Sequence, residues 1–112
     1  RIGASGILFA QLIARLGIAH IVDAHAIVIP SGLTAERLLT GEADLAVQQI
    51  SEIKQVAGVE IVGPIPRELQ APAVFSAGCM MATDQVVLAE QFLKFLGSPG
   101  AISVLREAGL EP

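Results

Sequence analysis

The stretch AIVIPSGLTAERLLTGEADLAVQ, residues 26–48, predicts a strand, a helix and a second strand in succession. Residues 26–29 form a short β-branched run stopped by a proline, which is typical of a buried strand. Thr34 opens a helical pattern that Gly41 closes. Residues 44–48 form the next apolar run. The stretch therefore favours a strand–helix–strand unit of a parallel sheet.

The same alternation continues on both sides of this stretch. Ser5 is placed to cap a helix over residues 6–16, because apolar side chains recur there at helical spacing. A short helical pattern over residues 50–56 is followed by a third β-branched run at residues 59–62. The element order predicts an α/β fold, a mainly parallel sheet flanked by helices.

Two prolines within residues 63–66 interrupt this pattern, because proline cannot donate to a strand ladder. We therefore predict a boundary there, with one part over residues 1–66 and a second over residues 67–112. The second part is predicted to hold an extended segment at residues 72–81, a helix capped at residues 83–84 and a last helix starting at residues 98–99.

Composition narrows the class of protein. Of the 112 residues, 53% are hydrophobic and 16% are charged, and the formal net charge is −4. This charge supplies no basic field for a phosphate backbone or an acidic membrane, so it disfavours both partners. The apolar runs are interrupted before the ~20 residues that a bilayer span needs.

Two helix starts carry the groups that hold an anion. At Gly3, Ala4, Ser5 and Gly6, a hydroxyl and unpaired N–H groups coincide with the positive end of a helix dipole. Residues 31–34 repeat the pattern. The same residues are also typical of an ordinary helix cap, and the sequence leaves both readings open.

Gln48 and Gln49 end a predicted strand, and ligands in open α/β sheets lie at the carboxyl ends of strands. A carboxamide at this position can donate to an oxyanion. It can equally be a surface amide.

The sequence offers no recognisable catalytic set. His20 and His25 lie five apart with no third ligand nearby, so no metal and no cofactor is expected. Cys79 sits in an apolar segment and is predicted to be a small buried hydrophobe. These features favour a non-enzymatic protein, with a small enzyme using Ser5 or Cys79 as a further hypothesis.

Four blocks together resemble the molybdate-type extracellular solute-binding proteins of ABC transporters. They are residues 3–7, 41–53, 62–70 and 108–112. The resemblance implies a type II periplasmic binding protein fold in which this chain is the second-lobe half. Residues 1–66 would be that lobe. Residues 67–112 would be a returning strand and C-terminal helices that normally pack on the first lobe, which is missing here.

The resemblance also implies a ligand, an oxyanion such as molybdate, tungstate or sulfate. The residues that it places beside the oxyanion are Ala4, Ser5 and Gly6 at the first helix start and Gly32 and Leu33 at the next. Gln49 falls where molybdate binders often carry a tyrosine that donates to the oxyanion.

The implied partners are an ABC permease or the missing first lobe. The uncovered apolar surface predicts a homo-oligomer. By resemblance the protein is periplasmic or extracytoplasmic, and it is cytoplasmic if the chain is complete without a signal peptide. The alternative is a repurposed oligomeric α/β module that binds another small anion or a protein partner.

Overall fold

A computed structural model describes residues 3–69 and 71–112, and the chain divides into two compact units, Arg1–Ala73 and Val74–Pro112. Among the described residues, four helices lie in the first unit and two lie in the second. The proline-containing segment 63–66 lies inside the first unit and adopts an irregular conformation.

Helix α1, Ala4–Arg15, is the longest element of the first unit. Extended Gly3 precedes it, and the first helical bond runs from the Ile7 N–H to the Gly3 carbonyl at 3.1 Å. The helix therefore begins earlier than predicted, and Ser5 lies within its first turn instead of capping it. Gly17 ends the helix as predicted, with a φ of 70° that glycine adopts without strain.

Helix α2, Ala19–Asp23, packs against α1. The sequence analysis predicted no helix over these residues. A five-residue helix is too short for a 3.6-residue period to emerge, so periodicity gave no signal for it.

Two further helices are shorter than predicted, α3 at Glu36–Leu39 and α4 at Ile50–Ile53. Gly41 follows α3 with a φ of 71°, as expected of a helix terminator. A turn continues α4, since the Val56 N–H donates to the Ile53 carbonyl at 3.0 Å.

The buried apolar residues of the described chain all belong to the first unit. They are Leu12, Ile13, Ala35 and Val56. The core of this unit thus draws on α1 and on the turns beside α3 and α4. Ile13, 1% exposed, is the largest fully buried side chain in it.

The predicted α/β class, with its mainly parallel sheet and its second-lobe half of a type II periplasmic binding protein, is wrong. No strand occurs among residues 3–69 and 71–112, where the regular elements are all helices. Residues 26–29, 44–48, 59–62 and 72–81 are irregular. No ladder of backbone hydrogen bonds joins these four described segments to one another.

The physical reason is that β-branched runs specify a buried strand only when other layers cover both faces. Here most side chains of these runs remain in solvent. Val28 is 54% exposed and Val62 is 91% exposed. Without burial, ordering two such segments against each other would not offset the conformational entropy that pairing costs.

The second unit contains α5, Val86–Leu96, and α6, Pro99–Glu107, which pack against each other. The predicted cap of α6 is confirmed. The Ser98 hydroxyl accepts a hydrogen bond from the Ala101 N–H at 3.3 Å, and Pro99 takes the first helical position. No side chain of either helix is buried, and Phe92 and Phe95 are 59% and 62% exposed.

Cys79 is exposed, so its predicted burial is wrong. Its apolar neighbours Met80 and Met81 are exposed as well. Apolar sequence context predicts burial only where another layer covers the segment, and the exposure of these three side chains shows that the context alone was not enough here.

No helix within the described part of the chain combines the length and the apolar character needed to cross a bilayer.

Candidate functional site

The first turn of α1 holds the best-defined group of free donors. Because the Ile7 N–H makes the first helical bond, the N–H groups of Ala4, Ser5 and Gly6 have no acceptor within the helix. Ser5 and Gly6 are half-buried and Ala4 is exposed. The first turn carries no acidic residue, so no local carboxylate competes for these donors. The turn is suited to an anion.

The turn over residues 31–34 is tied to Gln48 by three hydrogen bonds. The Gln48 Oε1 accepts from the Thr34 N–H at 2.7 Å and from the Thr34 hydroxyl at 2.9 Å. The Gln48 Nε2 donates to the Gly32 carbonyl at 3.2 Å. A backbone N–H can only donate and a carbonyl can only accept, so the orientation of this carboxamide is fixed by its partners.

Gln49 lies directly before α4. Its N–H donates to the Glu52 Oε2 at 3.3 Å, and its carbonyl accepts from the Glu52 N–H at 2.9 Å. This reciprocal pair caps α4. Gln49 is half-buried.

The structure brings some of the predicted site residues together. Gly32 and Leu33 share the turn that Gln48 holds, and Gln49 follows Gln48 in sequence. No hydrogen bond in the described part of the chain joins this group to Ala4, Ser5 or Gly6. The sequence missed the role of Thr34. Its place two residues ahead of α3 suggested a cap, but its partner lies 14 residues away.

A second polar cluster surrounds the end of α3. The Thr40 hydroxyl donates to the Glu42 Oε1 at 2.8 Å, and the Arg37 Nη1 donates to the same carboxylate at 3.0 Å. These two donors hold the pKa of Glu42 below its usual value, and the hydrogen bond from Thr40 has the larger effect. All three groups lie close in sequence at the surface, so the cluster fixes the chain after α3.

Replacing Thr40 with valine should raise the pKa of Glu42. The Thr40→Val side chain has the same shape and no hydroxyl, so the charged carboxylate loses a donor. A carbon-detected NMR titration of the Glu42 side chain measures the shift. In Thr83→Val, the lost hydroxyl accepts from the Gln85 N–H, so this control should leave the pKa of Glu42 unchanged.

The lowered pKa also sets the pH dependence. A folded pKa below the unfolded one means that this cluster stabilises the protein above the unfolded pKa, and that the contribution disappears as pH falls through the folded pKa. Thr40→Val should therefore lower stability at neutral pH and have no effect through Glu42 in strong acid. An unchanged Glu42 pKa in the variant would contradict this assignment.

Groups associated with catalysis are scattered. His20 and His25 are exposed, and in the described ranges no three or more His, Cys, Asp or Glu side chains gather where they could hold a metal ion.

Residues 1–111 match the family described as bacterial extracellular solute-binding protein. Aconitate isomerase from Pseudomonas sp. is 31% identical over 110 residues, which cover 97% of this chain and 42% of that protein. The chain thus spans less than half the length of this relative. No solved structure gives a significant match. The solute-binding family predicted from the sequence is confirmed, and the molybdate-type subgroup stays a prediction.

Proposed function

Since the chain belongs to the family of bacterial extracellular solute-binding proteins, we propose that it binds a small oxygen-bearing anion with the first turn of α1. The observation that carries the proposal is the set of free N–H groups at Ala4, Ser5 and Gly6. They sit at the positive end of a 12-residue helix, where an anion is stabilised by the dipole and by the donors together.

A second set of contacts comes from Gly32, Leu33 and Gln49. Gly32 is exposed, and Leu33 and Gln49 are half-buried, so a ligand can reach each of them. Backbone N–H groups at the turn and the Gln49 carboxamide are neutral donors, which suit an oxyanion because they hold it without demanding a fixed counter-charge.

Two chemical classes of ligand fit these donors. Inorganic oxyanions such as molybdate, tungstate and sulfate follow from the resemblance to molybdate-type binding proteins. A carboxylate is the second class, because the relative's name assigns aconitate to that protein. Both present oxygen acceptors to N–H and hydroxyl donors, and only binding measurements separate them.

The proposed role is capture of the ligand without a chemical step. The donors at the site are backbone N–H groups, a hydroxyl and the Gln49 carboxamide, none of which gains or loses a proton near neutral pH. The function fits a solute-binding component of an ABC importer, in an extracytoplasmic compartment, delivering its ligand to a permease. Aconitate incubated with the protein should keep its isomer ratio, as followed by proton NMR.

Calorimetric titration with molybdate, tungstate, sulfate, phosphate and aconitate tests the proposal. At least one should bind with a Kd in the micromolar to millimolar range, about −4 to −8 kcal/mol. Chloride at equal ionic strength is the control for non-specific screening. Amide NMR shifts should map to residues 4–6. Absence of heat from all five anions at millimolar concentration would contradict the proposal.

Exposed apolar side chains favour a second candidate, an oligomeric module that binds a protein partner or another small anion. Val62, Val74 and Met81 are among the most exposed residues of the chain, at 91%, 83% and 101%. Apolar surface of this kind marks association sites. Light scattering that gives a dimer mass, with no heat from any of the five anions, would favour this candidate over the first.

A further inference from the structure

We infer that Gln48 is a positioning residue that aims the Leu33 N–H at the ligand without touching the ligand itself. The inference rests on the proposed function, because it concerns the second group of contacts at that site. It assigns a role to the side chain next to Gln49 and distinguishes the two glutamines.

The first step is that Gln48 anchors one peptide unit. Its Nε2 donates to the Gly32 carbonyl at 3.2 Å, and that carbonyl belongs to the peptide joining Gly32 to Leu33. No cis peptide occurs in the described chain, and in a trans peptide the C=O and N–H point in opposite directions. A carbonyl held toward Gln48 therefore directs the Leu33 N–H away from Gln48.

The second step is that Gln48 fixes the next peptide unit as well. Its Oε1 accepts both donors of Thr34, at 2.7 Å and 2.9 Å. Leu33 therefore lies between two anchored peptide units. These bonds are part-buried, where hydrogen bonds are less weakened by water than at the surface.

The third step is that only a carboxamide satisfies both ends. A carboxylate would accept from Thr34, but its other oxygen would face the Gly32 carbonyl with no proton between them. The donors of Thr34 are already used by Gln48, so Thr34 acts through the turn and Leu33 supplies the donor to the ligand. Gln48 consequently holds the peptide units on both sides of Leu33 and so orients the Leu33 N–H.

The test compares Gln48→Ala, Gln48→Glu and Thr34→Ser by calorimetry, using the probe among the five anions that gives the largest heat with the parent. Gln48→Ala should bind about tenfold more weakly, as expected when the donor that it aims is lost to disorder. Gln48→Glu should also weaken binding. Thr34→Ser keeps both the backbone N–H and the hydroxyl and should bind the probe with the same affinity as the parent.

Gln55→Ala is the matched control. Gln55 also uses its Nε2 on a carbonyl, that of Ser51 at 3.1 Å, but this bond lies within the α4 turn and apart from residues 31–34. It should bind like the parent. Circular dichroism confirms that each variant is folded before its affinity is read.

Amide NMR separates alignment from general damage. The probe should shift the Leu33 amide in the parent and lose that shift in Gln48→Ala, whereas the shift of the Ser5 amide should persist in both. Equal affinity of Gln48→Ala and the parent, or a Leu33 shift that survives in Gln48→Ala, overturns the inference.

Hydrogen exchange distinguishes failure of this inference from failure of the proposed function. The Thr34 N–H should be protected in the parent and exchange faster in Gln48→Ala, with or without a probe. If the parent binds no anion but protects the Thr34 N–H, the binding function is overturned and the hydrogen bonds between Thr34 and Gln48 are still supported. If the Thr34 N–H exchanges equally fast in the parent and in Gln48→Ala, the anchoring of Thr34 by Gln48 is overturned.

Discussion

Ile13→Ala is expected to destabilise the first unit by about 2–5 kcal/mol. Ile13 is 1% exposed, and it is the largest fully buried side chain among the described residues. Removing its branched end forfeits both the transfer free energy and the packing of the atoms around it. Small domains hold only about 5–15 kcal/mol in total, so the loss should be visible as an early urea midpoint.

Ile7→Ala is the matched control, because it removes the same atoms from the same helix. Ile7 is 46% exposed, so much of its surface is already in water and its loss should have a clearly smaller effect. If Ile13→Ala does not fold, Ile13→Val should cost about 0.5–1.5 kcal/mol and remain measurable. Equal urea midpoints for Ile7→Ala and Ile13→Ala would show that the core does not lie at Ile13.

Ser5→Ala is expected to weaken anion binding by roughly 10- to 150-fold. The hydroxyl lies in the first turn of α1, beside three free N–H groups, and a hydrogen bond to a charged ligand contributes about 1.5–3 kcal/mol. Ser5 makes no cap hydrogen bond in the helix, so the substitution should leave the helix intact. Calorimetry on Ser5→Ala and parent measures the ratio of Kd values.

Ser103→Ala is the control for this substitution. Ser103 is an exposed serine on α6 whose hydroxyl contacts the Glu107 carboxylate at 3.4 Å, far in sequence from the predicted site. Its loss should leave the Kd unchanged. Heat that survives undiminished in Ser5→Ala would place the anion elsewhere.

Local signals in the sequence placed most of the helices. Gly17 ends α1, and Ser98 followed by Pro99 starts α6, because a left-handed φ and a hydroxyl cap depend on the residue itself and its nearest neighbours. The start of α1 was missed by a short distance, since Gly3 and Ser5 can both precede a helix. The family was predicted from short blocks of sequence as well, since the resemblance to solute-binding proteins rests on contiguous segments of the chain.

The candidate site was predictable in part. The donors at Ala4, Ser5 and Gly6 follow from the geometry of any helix start, so sequence alone located them. The bonds from Gln48 to Thr34 and Gly32 span 14 and 16 residues, and no local pattern reveals such a partner. The sequence therefore indicated Gln48 as a candidate, but it could not distinguish a side chain that contacts a ligand from one that holds the turn over residues 31–34.

The sequence by itself determined where most of the helices form, which turns need glycine, and which residues carry anion-binding groups. Only the tertiary structure decided that the β-branched runs such as residues 26–29 and 59–62 do not pair, that Cys79 is exposed, and that Gln48 already occupies the donors of Thr34. The physical reason is range. Helix bonds and caps join residues a few positions apart, whereas strand pairing, burial and side-chain braces depend on which distant segments cover one another.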